Sequence, residues 1–194
     1  PGTIRPRVPF TSPEHSPASN AVAPAGGPGT NPPRRVLLIR PSALGDVCRT
    51  VPCLALLRAA WPGATIDWLV QDSFADAVRA HPALSGVVPF PRGQFRAALR
   101  ALRPGAPLAF LRMLRERGYD VALDLQGLAR SGLFARATRA RVRVGPADAR
   151  EGGWLGYTLR ADPGPSLHTV ERMLAVTRAA VRAVSGASGG PLAL

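Results

Sequence analysis

The sequence predicts an α/β domain built on an open, mostly parallel β-sheet with helices on both faces. Short apolar runs alternate with amphipathic segments from about residue 35 to residue 184. The first run, RVLLIR at residues 35–40, is continuously apolar between two arginines, which is typical of a strand buried on both faces. About five such strands follow one another in alternation with helices. This order favours a parallel sheet, because each helix carries the chain back to the edge where the next strand begins.

Each element is predicted from local spacing. Apolar residues at steps of three and four from Val47 to Trp61 indicate one helix, which Pro52 interrupts or kinks near its start. Ser73 is the predicted N-cap of a short helix over 73–80. Residues 146–166 are rich in Gly and Pro and are predicted to be irregular. The remaining predicted strands are 65–70, 86–90, 119–125 and 141–144, and the remaining helices are 94–103, 108–117, 129–138 and 168–184.

Composition limits the class of protein. The 194 residues are 46% hydrophobic and 19% charged, which is enough apolar content for a globular domain with a core. No apolar run approaches the roughly 18 residues of a membrane-spanning helix, and the first residues lack a secretory-signal pattern. We therefore expect a cytoplasmic location. The net charge of +13 comes from arginine alone, since the chain has no lysine, and it favours anionic partners such as phosphorylated sugars, anionic lipid or nucleic acid.

The two ends differ in composition from the middle of the chain. Residues 1–33 are rich in Pro, Gly, Ser, Ala and Asn, so we predict a disordered tail followed by a folded domain over 34–184. Residues 185–194 are predicted to be linker-like. Cys48 and Cys53 are predicted to be reduced structural thiols, since five residues on one helix separate them by about 7.5 Å along its axis.

The loop after the first strand is the most informative segment. It holds one glycine, Gly45, whereas a dinucleotide fingerprint has three, and it lacks the Lys-Ser/Thr of a phosphate loop. It places Asp46 at a helix N-terminus, where an ionised carboxylate is favoured and can act as a general base. Asp46 can also be a helix cap, which is an ordinary use of Asp, and the residues alone favour that interpretation over the general base.

Several collinear motifs resemble the lipopolysaccharide heptosyltransferases, glycosyltransferase family 9. The resemblance begins with RVLLIRPSALGD at 35–46 and TVP at 50–52, and it continues through WPGATIDWLV at 61–70. It includes YDVALDLQGL at 119–128 and ends with the shorter matches ARE at 149–151 and HTVER at 168–172. The resemblance implies a Rossmann-like, acceptor-binding N-terminal domain of a GT-B glycosyltransferase over 34–184, and an enzyme that transfers heptose from ADP-heptose to the inner core of lipopolysaccharide.

The resemblance also implies residue roles. Asp46 is the catalytic base in an inverting, metal-independent displacement, and no cofactor is needed besides the donor substrate ADP-heptose. Ser42 and Gly45 line the acceptor side of the cleft, and Arg150 and His168 lie near the anionic groups of the acceptor. The alternatives without a binding role are a solvated charge for Arg150 and a surface residue at a helix N-terminus for His168. The implied partner is a phosphorylated lipid A/Kdo-type acceptor on the cytoplasmic face of the inner membrane.

A further prediction concerns a polar side chain that follows a strand. Gln126 comes at the end of the 119–125 strand and can hydrogen-bond a sugar or hold the first loop in place.

Arginines at steps of four, four and three form a basic stripe along the helix predicted over 94–103 and its entry, with Phe95, Leu99 and Leu102 on another face. The stripe suits lipid phosphates or an anionic membrane surface, and it can also be a solvated face. Its members are Arg92, Arg96, Arg100 and Arg103.

One departure from the family limits the interpretation. Family members bind the nucleotide-sugar mainly through a second domain, which these 194 residues do not contain. The alternatives are a piece of a full enzyme, a degenerate product, or a non-catalytic acceptor-binding module. A nucleic-acid binder is the alternative from another class, but the sequence shows no recognition helix, stacking aromatics or zinc motif, so no specific nucleic-acid partner is predicted.

Overall fold

The computed structural model describes residues 31–162 and 168–186. The predicted disordered tail at 1–33 and the predicted linker at 185–194 lie outside the described residues, except for their inner ends. Both remain predictions.

The described chain forms a parallel sheet of six strands, β1 Arg35–Ile39, β2 Thr65–Gln71, β3 Gly86–Phe90, β4 Val121–Asp124, β5 Val142–Pro146 and β6 Leu159–Ala161. They lie in the order β3-β2-β1-β4-β5-β6. The predicted open, parallel sheet is therefore confirmed, but the expected number of about five strands is one too few. The missed strand, β6, lies in the segment that was predicted to be irregular, and it pairs Leu159 with Val144 of β5.

The helices correct two local predictions. The predicted interruption near Pro52 is confirmed, but it separates two helices that meet at Thr50 and does not kink a single one; Pro52 lies in the first turn of the second helix, where its missing N–H costs no hydrogen bond. Ser73 caps no helix: it lies within a 3-10 helix, Asp72–Phe74, and its Oγ accepts a 2.7 Å hydrogen bond from Gln71 Nε2. The helices are α1 Leu44–Arg49, α2 Val51–Ala60, α3 Asp76–Arg79, α4 Arg92–Arg100, α5 Gly105–Glu116, α6 Ala129–Thr138, α7 Thr169–Ser185 and a second 3-10 helix, Gly153–Gly156.

Alternate residues of each strand face two separate hydrophobic cores. In β1, Val36 and Leu38 pack towards α1, α2, α3 and α7, which we call the first helical layer. Leu37 and Ile39 pack towards α4, α5 and α6, which we call the second helical layer. β1 lies in the middle of the sheet between β2 and β4, and four of its five residues are fully buried. The continuous apolar run of this strand follows from that central position.

Four phenylalanines fill the core under the second helical layer. Their ring centroids lie 4.8 to 6.5 Å apart, mostly edge to face. The predicted apolar face of α4 packs only at Phe95, whereas Leu99 and Leu102, farther along, are exposed. The four aromatic residues are Phe90, Phe95, Phe110 and Phe134.

Within the described ranges, no helix is both long and apolar enough to cross a membrane.

Candidate functional site

The candidate site forms where β1 and β4 end side by side at the carboxyl edge of the sheet. The pairing of Ile39 with Asp124 brings the loops that follow these strands into contact. In open α/β sheets, ligands bind in a crevice at this edge. The first loop leads into α1, so Asp46 lies in the first turn of that six-residue helix.

Two arginines hold the carboxylate of Asp46. Its Oδ2 pairs with Arg40 Nη2 at 2.6 Å and its Oδ1 with Arg49 Nη1 at 3.3 Å. The Asp46 side chain is 30% exposed, so one side of the carboxylate faces solvent. A carboxylate has about four acceptor positions, and the two pairs leave room for a substrate hydroxyl. Asp46 makes no side-chain cap bond, so the alternative interpretation as a helix cap finds no hydrogen bond to support it.

Arg40 is a site residue that the sequence analysis missed. Its side chain is buried, and Nη1 donates a hydrogen bond to the carbonyl oxygen of Leu125, which follows β4. The same guanidinium therefore ties the β4 loop to Asp46. Its Nε is buried and has no hydrogen-bond partner within the described residues. An arginine that directly follows a fully apolar strand is the sequence signal that points to such a buried cation.

Gln126 connects the two loops as well. Its Oε1 accepts a 3.3 Å hydrogen bond from the backbone N–H of Ser42, which agrees with the predicted loop-holding role and leaves the alternative role, sugar binding, untested. Ser42 is half-buried at this position. Gly45 is exposed, and a Cβ added there would meet nothing within 4 Å, so open space borders α1 beside Asp46.

A buried carboxylate supports the Gln126 loop from below. Asp124 Oδ1 accepts from the backbone N–H groups of Gln126 at 2.8 Å and Gly127 at 3.3 Å, and Tyr157 Oη donates to Oδ2 at 2.6 Å. Burial raises the pKa of Asp124, and these hydrogen bonds partly offset that rise. Burial also raises the pKa of Tyr157, and the neighbouring Asp124 raises it further. Tyr157 lies in the segment predicted to be irregular and was not identified from the sequence.

The other predicted residues lie at the same edge but are less tightly connected. Arg92 follows β3 and donates from Nη1 to Gln71 Oε1 at 3.2 Å. Arg96 is exposed and makes no hydrogen bond or ion pair with the described part of the chain. Arg150 is exposed, with its backbone N–H bonded to the carbonyl oxygen of Gly127 at 2.8 Å. His168 is the exposed N-cap of α7, and its Nδ1 accepts from Val170 N–H at 3.4 Å.

Arg130 adds a second cation near Arg92. Its guanidinium lies 5.2 Å from the ring centroid of Phe90, at the end of β3. Partial burial lowers the pKa of Arg130, the charge of Arg92 lowers it further, and the carboxylate of Glu151 opposes the change. Arg130 was not predicted from the sequence, because helical periodicity alone does not show that α6 begins at the sheet edge. Among residues 31–162 and 168–186, no three His, Cys, Asp or Glu side chains are grouped as metal ligands.

Comparisons with known proteins agree with this geometry. The sequence profile of glycosyltransferase family 9 (heptosyltransferase) matches residues 108–189. Lipopolysaccharide heptosyltransferase 1 of Pseudomonas aeruginosa is 40% identical over 103 residues, covering 53% of this chain and 29% of the relative. The enzyme of the same name from Escherichia coli K12 is 32% identical over 146 residues, covering 71% of this chain and 44% of the relative.

Solved structures give the same result. E. coli heptosyltransferase WaaC with ADP-2-deoxy-2-fluoro heptose superposes with a TM-score of 0.66 at 32% identity, covering 82% of this chain and 50% of that one. E. coli ADP-heptose lps heptosyltransferase II, at 23% identity and a TM-score of 0.53, supports the fold. The sheet and its crevice therefore define a Rossmann-like domain of the GT-B glycosyltransferase class. The chain belongs to glycosyltransferase family 9, the heptosyltransferase family. It spans about a third to a half of the length of the curated relatives it matches.

Proposed function

We propose that residues 34–184 are the acceptor-binding domain of a glycosyltransferase that moves a heptose from ADP-heptose to the inner core of lipopolysaccharide. The observation that carries the proposal is the half-exposed carboxylate of Asp46, fixed by Arg40 and Arg49 at the carboxyl edge of the sheet. Two findings support it: relatives over this part of the chain are named lipopolysaccharide heptosyltransferases, and the similar E. coli WaaC structure contains an ADP-2-deoxy-2-fluoro heptose.

The proposed reaction is a single displacement. Asp46 accepts the proton of an acceptor hydroxyl while that oxygen forms a bond to the anomeric carbon of the donor. The bond from this carbon to the phosphate oxygen of ADP breaks at the same time, so ADP leaves and the configuration is inverted. Arg40 and Arg49 hold the carboxylate in place through two ion pairs, so the base is positioned before the acceptor arrives. We expect transfer to need no metal, so it continues when EDTA is present.

The proposed acceptor is a phosphorylated lipid of the lipid A/Kdo type. Arg92 and Arg150 lie at the sheet edge, and guanidinium groups bind phosphate or carboxylate in a bidentate manner. The Ser42–Gln126 contact keeps the Asp46 loop against the β4 loop, which closes one wall of the acceptor crevice. We place the reaction at the cytoplasmic face of the inner membrane, where such a lipid is exposed to ADP-heptose.

The test separates binding from transfer in the polypeptide that source cells produce, after its intact mass has been determined. We expect Asp46→Asn to lower the rate of transfer about 10²- to 10⁴-fold, the range for loss of a general base, while acceptor affinity changes little. Asp72→Asn is the matched control, because Asp72 also lies in the first turn of a helix directly after a strand at this edge. It should leave both quantities unchanged.

Three outcomes would contradict parts of the proposal. Unchanged turnover in Asp46→Asn would remove the residue from the role of base. Loss of transfer in EDTA would remove the metal-independent mechanism. Acceptor binding without any transfer by the native polypeptide would reduce the function to the non-catalytic, acceptor-binding alternative.

A further inference from the structure

The connection between α4 and α5 exposes leucines beside arginines. Leu99 is 64% exposed, Leu102 is 88% exposed and Leu108 is 60% exposed, so all three present most of their apolar surface to water. Arg100 lies between Leu99 and Leu102 in the sequence, and Arg103 directly follows Leu102. We call this group of Leu99, Leu102, Leu108, Arg100 and Arg103 the leucine corner.

The leucine corner continues an apolar helix face beyond the body of the protein. Phe95 begins that face inside the aromatic cluster, with its ring centroid 4.8 Å from that of Phe90. Leu99 lies one turn farther along α4, where no residue of the helix is buried, and it does not join the core under the second helical layer. Leu102 follows the helix with a φ of 52°, in the left-handed region that glycine or asparagine adopts more easily than leucine. Neither packing within the described chain nor turn formation explains a leucine there.

The charge around the leucine corner has one sign. Residues 91–115 contain six arginines and no acidic residue. Arg100 and Arg103 form no ion pair with any described residue. The next acidic side chain along the chain, Glu116, is already paired with Arg112 at 2.7 Å. A surface with this much uncompensated positive charge attracts anions.

We propose that the leucine corner docks on an anionic lipid bilayer, with the leucines entering the acyl region and the arginines lying at the level of the phosphates. Exposed apolar tips flanked by basic side chains satisfy both layers of a membrane interface at once. A nucleic acid would pair with the arginines but leave three leucines in water. The proposal concerns how the chain reaches a lipid surface, and it is measured without donor or sugar transfer.

The first experiment measures flotation of the 194-residue chain with vesicles. We expect binding to vesicles of equal parts phosphatidylcholine and phosphatidylglycerol, and little binding to phosphatidylcholine alone. The pair Leu99→Ser and Leu102→Asn should weaken binding at least about tenfold, because both apolar side chains are lost from the interface. Arg100→Gln with Arg103→Gln should weaken it at least about tenfold as well. All four positions are exposed, so the fold should tolerate these changes.

Matched controls come from other surfaces. Leu155 is 63% exposed on the 3-10 helix that packs against α6, so Leu155→Ser removes an equally exposed leucine outside the corner. Arg79→Gln removes an exposed arginine of the first helical layer. Both controls should bind vesicles as the unchanged chain does.

The second experiment measures depth. In a Cys48→Ser background, Leu102→Cys carries a bimane label whose fluorescence brominated lipids should quench, whereas the same label at Leu155→Cys should stay bright. Two results would overturn the proposal. One is that the arginine changes abolish vesicle binding while the leucine changes leave it unaltered and the label at position 102 is not quenched. This result indicates surface attraction without insertion. The other is concentration-dependent self-association that the leucine changes abolish while vesicle binding persists, which indicates that a second copy covers the corner.

Discussion

The two helical layers cover the same sheet but differ in what they present to solvent. The helices of the second layer, α4 to α6, carry seven arginines and one glutamate, whereas those of the first layer carry six arginines and three acidic residues. Four leucines are exposed on or between the helices of the second layer, against Leu44 alone on the described helices of the first. A groove of about 590 Å³ between α5 and α6 is also lined by five arginines.

This difference shows that composition alone misplaces the basic character of the chain. A net charge of +13 does not say where the charge lies, whereas the structure gives the helices of the second layer seven arginines less one glutamate, or +6, and those of the first layer six arginines less three acidic residues, or +3. The first layer instead supplies the candidate base, Asp46, from α1 and pairs it with two arginines. We therefore associate the first layer with proposed chemistry and the second with proposed attachment to lipid.

The largest expected effect tests how closely α6 of the second layer packs against the second 3-10 helix, Gly153–Gly156. A Cβ at Gly132 in α6 would lie 2.1 Å from the carbonyl oxygen of Gly153, and that contact is with backbone. We expect Gly132→Ala to lower the free energy of unfolding by about 3 kcal/mol in urea titrations, because the second 3-10 helix must move away from α6. A cost below about 1 kcal/mol would mean that the two segments separate easily.

Gly45→Ala in the first layer is the opposite case. The added methyl meets nothing within 4 Å, and alanine favours the helix by about 1 kcal/mol over glycine. The free energy of unfolding should therefore stay the same or rise. If both alanines destabilise the chain equally, the contrast between an open α1 and a closely packed α6 is wrong.

A smaller effect tests how the second layer supports the site. Tyr157 packs on the second core and donates to the buried Asp124, so we expect Tyr157→Phe to cost about 2 kcal/mol, as for a hydrogen bond to a charged group. The pKa of Asp124 is raised on folding, so the folded chain binds this proton more tightly than the unfolded chain. Stability should fall as pH rises from the ordinary carboxyl pKa through the folded value, and Tyr157→Phe should deepen that fall, as urea titrations across pH will show.

Tyr119→Phe is the matched control for this prediction. Tyr119 also donates to a buried carboxylate, that of Asp67, at 2.7 Å, but this pair does not contact the Gln126 loop. Both variants should be destabilised, and only Tyr157→Phe should also weaken acceptor binding. Equal acceptor affinity in the two variants would show that Asp124 has a purely structural role.

The sequence predicts most of the fold because periodicity reports burial. The helix predicted over 168–184 is α7, and four residues spaced three and four apart along it, Met173, Leu174, Thr177 and Val181, are all buried. β6 was missed because three residues between Gly- and Pro-rich segments show no period. Of the predicted apolar face of α4, Phe95 packs on the core, whereas Leu99 is exposed and Leu102 lies beyond the end of the helix, because spacing cannot show where the protein body ends beneath a helix.

The candidate site was predicted less completely, for a physical reason. Asp46, Ser42 and Gln126 lie within motifs, and the structure brings the loops that hold them together. Arg40 and Tyr157 act through contacts across 85 and 33 residues, and such distances leave no local pattern in a single sequence. Arg150 and His168 lie at the same edge of the sheet, and their proposed contacts with an acceptor stay predictions.

The last prediction concerns the reactivity of a thiol within the first layer. Both cysteines are free, but Cys48 is exposed, so its predicted structural role is wrong, while Cys53 is buried in the core. Burial raises the pKa of Cys53 from 9.0 to about 11, which lowers its thiolate population about a hundredfold at a given pH. In a Cys48→Ser variant, iodoacetamide at pH 8 should therefore modify Cys53 at least about a hundredfold more slowly in the folded chain than in urea. Similar rates would mean that α2 opens readily, and the first layer would then be the more mobile one. Because the unfolded thiol ionises first, stability should also fall between pH 9 and about pH 11, and Cys53→Ala should make that fall smaller. The part that remains should begin near pH 10, because folding also raises the pKa of Tyr119 and Tyr157.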